Sequence, residues 1–366
     1  MAVATLEPRA NPDLRGQDAA LAVLRAALAS GRLPHGWLLS GPPGIGKATL
    51  AYRFARALLA RPEMTDPTLA MDPADPVFRQ VAQGSHPDLR VIEALRDPKT
   101  GKVKSEITVD LVRAATASLN TTAALGGRRI VVIDGAETLN RNAANALLKS
   151  LEEPPPDAVL LLISHRPSRV APTVRSRCAK LPLARLPDRE VVEALARHAP
   201  DLPAEQRGAL ALLARGSIGR ALELAGDDWI SLYRRLALCL SGSPVDRSAI
   251  QALSTELARY ADARSFTAPV WLIQELLSRL LRAGVGWQDQ ALFAGETEVL
   301  GRLAAGRPLD RWGAMWEKVA RLATTVDSLN LDRRQALLHI LTLLALASEG
   351  DEPDAGAAFG GLDDFG

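Results

Sequence analysis

Lys47 closes the run "GPPGIGK" that begins at Gly41. A lysine behind a glycine-rich turn is suited to phosphate. The backbone N–H groups of such a turn surround phosphate oxygens, and the ammonium reaches the outer phosphates. The full pattern is G-x-x-x-x-G-K-[ST]. Gly41, Gly46 and Lys47 are in register, with Gly44 inside the turn, but Ala48 stands where a hydroxyl would hold magnesium and Thr49 comes one residue late. A second element should follow on a buried strand, an acid that helps hold the metal. Asp134 ends "RRIVVID" and meets that need. In many ATPases the next residue is a glutamate that polarises the attacking water. Here it is Gly135, with Glu137 two residues on and expected to point elsewhere. Each missing group removes an electrostatic contribution to phosphoryl transfer. The pattern therefore points to a degenerate site that either holds ATP or ADP, with or without magnesium, without efficient hydrolysis, or is retained only as a glycine turn.

These residues need a strand before the loop and a helix after it. "GWLLSG" (36–41) reads as the strand and "KATLAYRFARALLA" (47–60) as the helix. A helix is expected over 14–30. Residues 61–87 read as irregular, 88–95 as a strand, 96–106 as a charged loop, and about 108–119 as a helix. "RRIVVIDGAE" (128–137) and "AVLLLIS" (158–164) read as buried strands. Between them "NRNAANALLKSLEE" (140–153) reads as a helix stopped by three prolines. Near-continuous apolar strands alternating with helices predict a parallel sheet covered on both faces. After about residue 185 the pattern becomes helical: 188–198, 204–214, 217–225, then several helices from 245 to 348 with a break at "SGSP" (241–244). No internal repeat is evident.

The 366 residues allow two or three domains. Net charge is +2, and the last 18 residues hold six acids with no Lys or Arg, so the rest of the chain carries +8. That is compatible with a polyanion partner without requiring one. Two cysteines, Cys178 and Cys239, exclude a disulfide framework and suit a reducing, cytoplasmic setting. The first residues lack a signal-peptide core, and no apolar run approaches the ~20 residues of a membrane span, so no membrane is expected as a partner. The acidic end, 349–366, is expected to be disordered or to act as a short docking peptide.

Several stretches together are more specific than the loop alone: "LRGQDAAL" (14–21), "GRLPHGWLLSGPPGIGKATLA" (31–51), "GSHPDL" (84–89), "VVIDGAETLNRNAANALLKSLEEPP" (131–155), "VRSRC" (174–178), "GSIGRAL" (216–222) and "NLDRRQALL" (330–338). On these the chain resembles bacterial clamp-loader subunits of the AAA+ class, nearest the delta prime type of the DNA polymerase III holoenzyme. The resemblance implies an α/β plus all-α fold. A AAA+ parallel-sheet domain is expected over 1–185, a small helical lid over 186–226 and a helical collar over 227–348, ahead of the acidic tail. It also implies a five-membered ring with gamma/tau-type ATPases and delta, working on a sliding clamp and primed DNA.

By the same resemblance Arg177, in "SRC", is an arginine finger offered in trans to the neighbouring ATP site; the plain alternative is a surface arginine in an ion pair. Lys149 matches a position that faces the DNA backbone, or else pairs with Glu152 or Glu153. Ser164 matches a γ-phosphate sensor, or else satisfies a backbone group. Gly219 stands where hydrolysing relatives carry an arginine in "G-S-x-R", with Arg220 one later. Many delta prime relatives hold a zinc module between the two nucleotide elements. This chain has no cysteine between Lys47 and Asp134, so no zinc is expected. Trp312 and Trp316, four apart, read as core or subunit packing. The rival readings are an active AAA+ ATPase, either a gamma/tau-type motor or a helicase loader, and a metabolic kinase. Ala48 and Gly135 count against the first, the helical second half against the kinase.

Overall fold

The computed structural model describes residues 7–60, 66, 68–93, 106–242, 244–263, 266–329 and 331–349. The chain divides into two compact units, Met1–Glu223 and Leu224–Gly366. The charged loop expected at 96–106 and the acidic tail lie, but for their outermost residues, outside the described residues.

In the first unit α1 (Asp18–Ala29), β1 (Gly36–Ser40), α2 (Lys47–Leu59), α3 (Pro76–Ala82) and β2 (Leu89–Ile92) are followed by α4 (Val109–Ala117), β3 (Arg129–Asp134) and α5 (Arg141–Glu152). Then come β4 (Ala158–Ser164), α6 (Pro172–Arg175), β5 (Ala179–Pro182), α7 (Asp188–His198), α8 (Ala204–Ala214) and α9 (Ile218–Leu224). The five strands form one parallel sheet in the order β2-β3-β4-β1-β5. Successive side chains of a strand point to opposite faces, and here both faces are apolar. Leu39, Val132, Leu161 and Ile163 face α1, α2 and α3. Leu38, Val131, Ile133, Leu160 and Leu162 face α4, α5 and α6. This double burial explains why "AVLLLIS" reads as an unbroken apolar run.

Three elements depart from the sequence reading. Helix α3 lies within the stretch expected to be irregular; Asp75 caps it by accepting the Val77 N–H, and Pro76 opens it. Edge strand β5 was hidden because only Leu181 of its four residues is buried. Helix α10 (Trp229–Leu240) precedes the point where the long helices were expected to begin.

The second unit comprises α10, α11 (Arg247–Ala263), α12 (Thr267–Gly284), α13 (Glu296–Ala305), α14 (Leu309–Leu329) and α15 (Arg333–Glu349). Helix α12 packs against both α13 and α14, and α11 lies along α15. Trp312 is buried, and its indole N–H donates to the Leu303 carbonyl. A buried ionic knot ties α10, α12 and α13. The Glu296 carboxylate accepts the Tyr233 O–H at 2.6 Å and two N–H groups of Arg279 at 2.8 and 2.9 Å. Among the described residues no helix is long and apolar enough to cross a membrane.

Candidate nucleotide site and the opposite end of the sheet

The glycine loop leaves the carboxyl end of β1 and turns into α2, while Asp134 ends β3 and Ser164 ends β4, the strand between them. Ligands of open parallel sheets sit at these carboxyl ends, beside the switch in strand order. A cavity of about 310 Å³ lies there, lined by Gly44, Gly46, Lys47, Ala48, Thr49 and Asp134 together with Asn11, Leu14, His165 and Ile218. That is the lower end of the size range of small-molecule sites.

Lys47 is 3% exposed and its Nζ donates to the Pro42 carbonyl at 2.6 Å. Burial pushes its pKa down to about 8, against the pull of Asp134 and Glu137. Burial pushes Asp134 up to about 6, with Glu93 adding and Lys47 opposing. The pair thus keeps charges of opposite sign at the mouth of the loop in neutral solution. Gly135 has φ 86°, a left-handed conformation that a glutamate would adopt only under strain. The missing acid is therefore accompanied by a different backbone path.

Glu137 turns toward the end of β4, where it accepts the His165 N–H at 2.9 Å. The Ser164 oxygen accepts the Arg166 N–H at 3.1 Å. Ser164 is fully buried, and its hydroxyl satisfies a backbone group. Of the two carboxylates lining the cavity, Asp13 is paired with Arg197, which leaves Asp134 for a metal with a nucleotide, with no hydroxyl at 48. For phosphate oxygens the cradle and Lys47 fit.

The far wall of the cavity is held by groups that periodicity does not reveal. Arg53 and Arg56 of α2 are buried and form no ion pair among the described residues. Arg53 donates to the Pro12 and Thr68 carbonyls, and Arg56 to those of Arg9 and Asn11 while lying over the Phe78 ring. They pin residues 9–12 along the cavity. Asp13 then pairs with Arg197 at 2.6 Å and Arg15 with Glu193 at 3.1 Å, strapping this arm to α7. From the other side the Gly219 N–H donates to the Gly44 carbonyl, and the Ser217 hydroxyl to the Pro43 carbonyl.

Arg177 lies elsewhere. Ala179 of β5 pairs with Trp37 near the start of β1, and a Cβ placed on Gly36 would meet the Cys178 Sγ at 3.4 Å and the Arg177 carbonyl at 3.6 Å. Arg177 is thus at the amino end of β1, and Lys47 lies beyond its carboxyl end. Four strand steps of ~3.3 Å separate Gly36 from Ser40 by ~13 Å. Cys178 is buried, and burial pushes its thiol up to about 11. Lys149 is exposed on α5 beside a groove it shares with Arg113, Asn142 and Asn145 of α4 and α5. It forms no ion pair among the described residues; Glu152 is taken by Arg177. Lys47, Asp134 and Ser164 therefore come together, whereas Arg177 and Lys149 do not join them. Among the described residues no group of three or more His, Cys, Asp or Glu is placed to hold a metal ion.

Residues 16–187, which span the whole sheet, match the family described as DNA polymerase III, delta subunit. That stretch, a little under half of the chain, is similar to that family. The chain is 43% identical over 192 residues to the DNA polymerase III subunit delta′ of Pseudomonas aeruginosa, covering 52% of this chain and 56% of that protein. It is 36% identical over 207 residues to the subunit delta′ of Escherichia coli K12, covering 56% and 59%. The DNA polymerase III subunit tau of Escherichia coli K12 is 33% identical over 223 residues, covering 59% of this chain and 32% of that protein. The match thus spans a little over half the length of these two delta′ relatives.

Proposed function

We propose that this chain acts as a delta-prime-type stator in a bacterial clamp loader. In this reading it assembles with gamma/tau-type ATPases and delta in a five-membered ring, takes part in loading a sliding clamp on primed DNA, and offers Arg177 in trans to the ATP site of a neighbour. The single observation that supports the trans role is the placement of Arg177. It sits across the sheet from Lys47, too far to serve its own cavity, on a backbone anchored in the core by Val174 and Cys178. A planar, permanently charged guanidinium suits the charge that develops on a transferring phosphoryl group, and such fingers are worth ~10³–10⁵ in rate in GTPases.

The chain's own cavity holds ATP or ADP without turnover in this reading. The loop and Lys47 take the phosphates, and magnesium, where present, leans on Asp134 alone. Ala48, the turned backbone at Gly135 and the glycine at 219 all speak against a motor subunit. Residues 186–226 serve as the lid and 227–348 as the ring-forming collar. Lys149 adds a sequence-independent contact to the DNA backbone.

The test is co-purification of the full chain with its partners, followed by Arg177→Ala in the reconstituted assembly. The expected result is recovery of the other clamp-loader subunits, intact assembly of the variant, and a reduced DNA-stimulated ATPase. Unchanged ATPase at normal assembly removes the finger role. Recovery of none of those subunits removes the clamp-loader reading.

A further inference from the structure

We propose that Glu152 is the positioning residue for Arg177, holding the guanidinium at the angle in which it meets a neighbour's nucleotide. The inference rests on the trans reading of Arg177 above. Arg177 Nη2 lies 2.6 Å from Glu152 Oε1, and Nη1 donates to the Thr173 carbonyl at 3.1 Å. These two partners sit on different elements, the last residue of α5 and the short helix α6. The guanidinium is held by one hydrogen bond, to Thr173, and one close ion pair, to Glu152, and its remaining N–H groups have no hydrogen-bond partner among the described residues.

The setting gives the grip a purpose. An arginine side chain has large rotamer freedom, and a group that must meet a phosphate at a subunit boundary loses rate when that freedom is spent on contact. The backbone of Arg177 is already fixed, because Val174 and Cys178 are buried on either side of it. Only the side chain remains to be ordered. A carboxylate at the C-terminal end of a helix is disfavoured by the helix dipole, so Glu152 does not stabilise α5 by its own position. Its negative charge is useful there because Arg177 is beside it. The two side chains are 38% and 48% exposed, so the pair is too wet to contribute much to folding. Its function is geometric: the arginine is pre-aimed and still open to anions.

The experiment is a double-mutant cycle in the reconstituted assembly, reading DNA-stimulated ATPase and thermal unfolding. Glu152→Gln is expected to lower kcat about three- to fivefold, the scale of one exposed charge pair. KM for ATP and the unfolding midpoint should stay unchanged, and Glu152→Asp should recover part of the loss. In the Arg177→Ala background the same change should have no effect. If Arg177→Ala alone leaves ATPase unchanged, the trans reading fails and this inference with it. If Arg177→Ala lowers ATPase but Glu152→Gln does not, or raises it, the finger stands and the positioning role is overturned. An equal loss from Glu152→Gln in the Arg177→Ala background also overturns it.

Discussion

The amide of Gly219 donates to the carbonyl of Gly44 at 2.8 Å, so the first turn of α9 rests directly on the phosphate loop. A Cβ at 219 would stand 2.9 Å from the Gly44 Cα, and one at 44 would stand 2.3 Å from the Ser217 Oγ. Two glycines face each other because nothing larger fits between the backbones. The next residue, Arg220, reaches sideways to Glu223 at 2.9 Å. By resemblance, position 219 is where hydrolysing relatives keep an arginine. Its absence here is accompanied by a close backbone contact that uses the space.

It follows that Gly219→Arg should not recover turnover. The clash is with backbone, which does not give way cheaply, so a cost of about 1–3 kcal/mol is expected. For a unit of this size that is a fall of several degrees in the unfolding midpoint. Calorimetry and an ATPase assay on the purified chain check both. Turnover rising with an unchanged midpoint would contradict the contact.

How far the sequence anticipated this site depends on the kind of signal each residue leaves. Lys47 and Asp134 were legible because each sits at a fixed offset from a buried strand. The sheet was legible because β3 and β4 are buried on both faces. Edge strand β5, with one buried residue, leaves no such trace. Arg53 and Arg56 look like the polar stripe of an amphipathic helix, yet both are buried on loop carbonyls. Backbone acceptors have no sequence signature. The grip of Glu152 on Arg177 was equally hidden, since 24 residues, including a strand, lie between them. Glu137 follows the 3-10 turn after Gly135, which brings it to the end of β4 and leaves it out of the cavity lining.

Glu296 and Asp13 hold ion pairs of very different depth, and their removal should differ accordingly. Glu296 is 1% exposed and holds Tyr233, Arg279 and the Leu292 N–H. Glu296→Ala leaves Arg279 buried without its main partner, at a cost of about 3–5 kcal/mol. Asp13→Ala breaks an exposed pair with Arg197 and should cost at most about 1 kcal/mol, less in high salt. Urea unfolding of the two variants side by side gives the comparison. Similar losses would mean that the strap is more sheltered than its exposure indicates.

Asp134 offers a prediction in pH. Its pKa is raised in the fold to about 6, chiefly by burial. Between the ordinary aspartate value and 6 the folded chain binds more protons than the unfolded one, so stability falls as pH rises through this window. The group's favourable contribution is complete below about pH 3.9 and is lost above pH 6. At pH 7.5 the charged carboxylate therefore weakens the unit by something on the order of 3 kcal/mol. Asp134→Asn mimics the protonated form. It should raise stability at pH 7.5 by about that amount and leave it unchanged near pH 4. Denaturant unfolding at pH 4, 6 and 7.5 measures the difference. A variant that is less stable at pH 7.5 would show that the attraction between Asp134 and Lys47 outweighs the cost of burying the charge, and that the carboxylate is kept for the fold. A stabilised variant means that the chain tolerates a strained acid at the end of β3, where phosphate chemistry would use it.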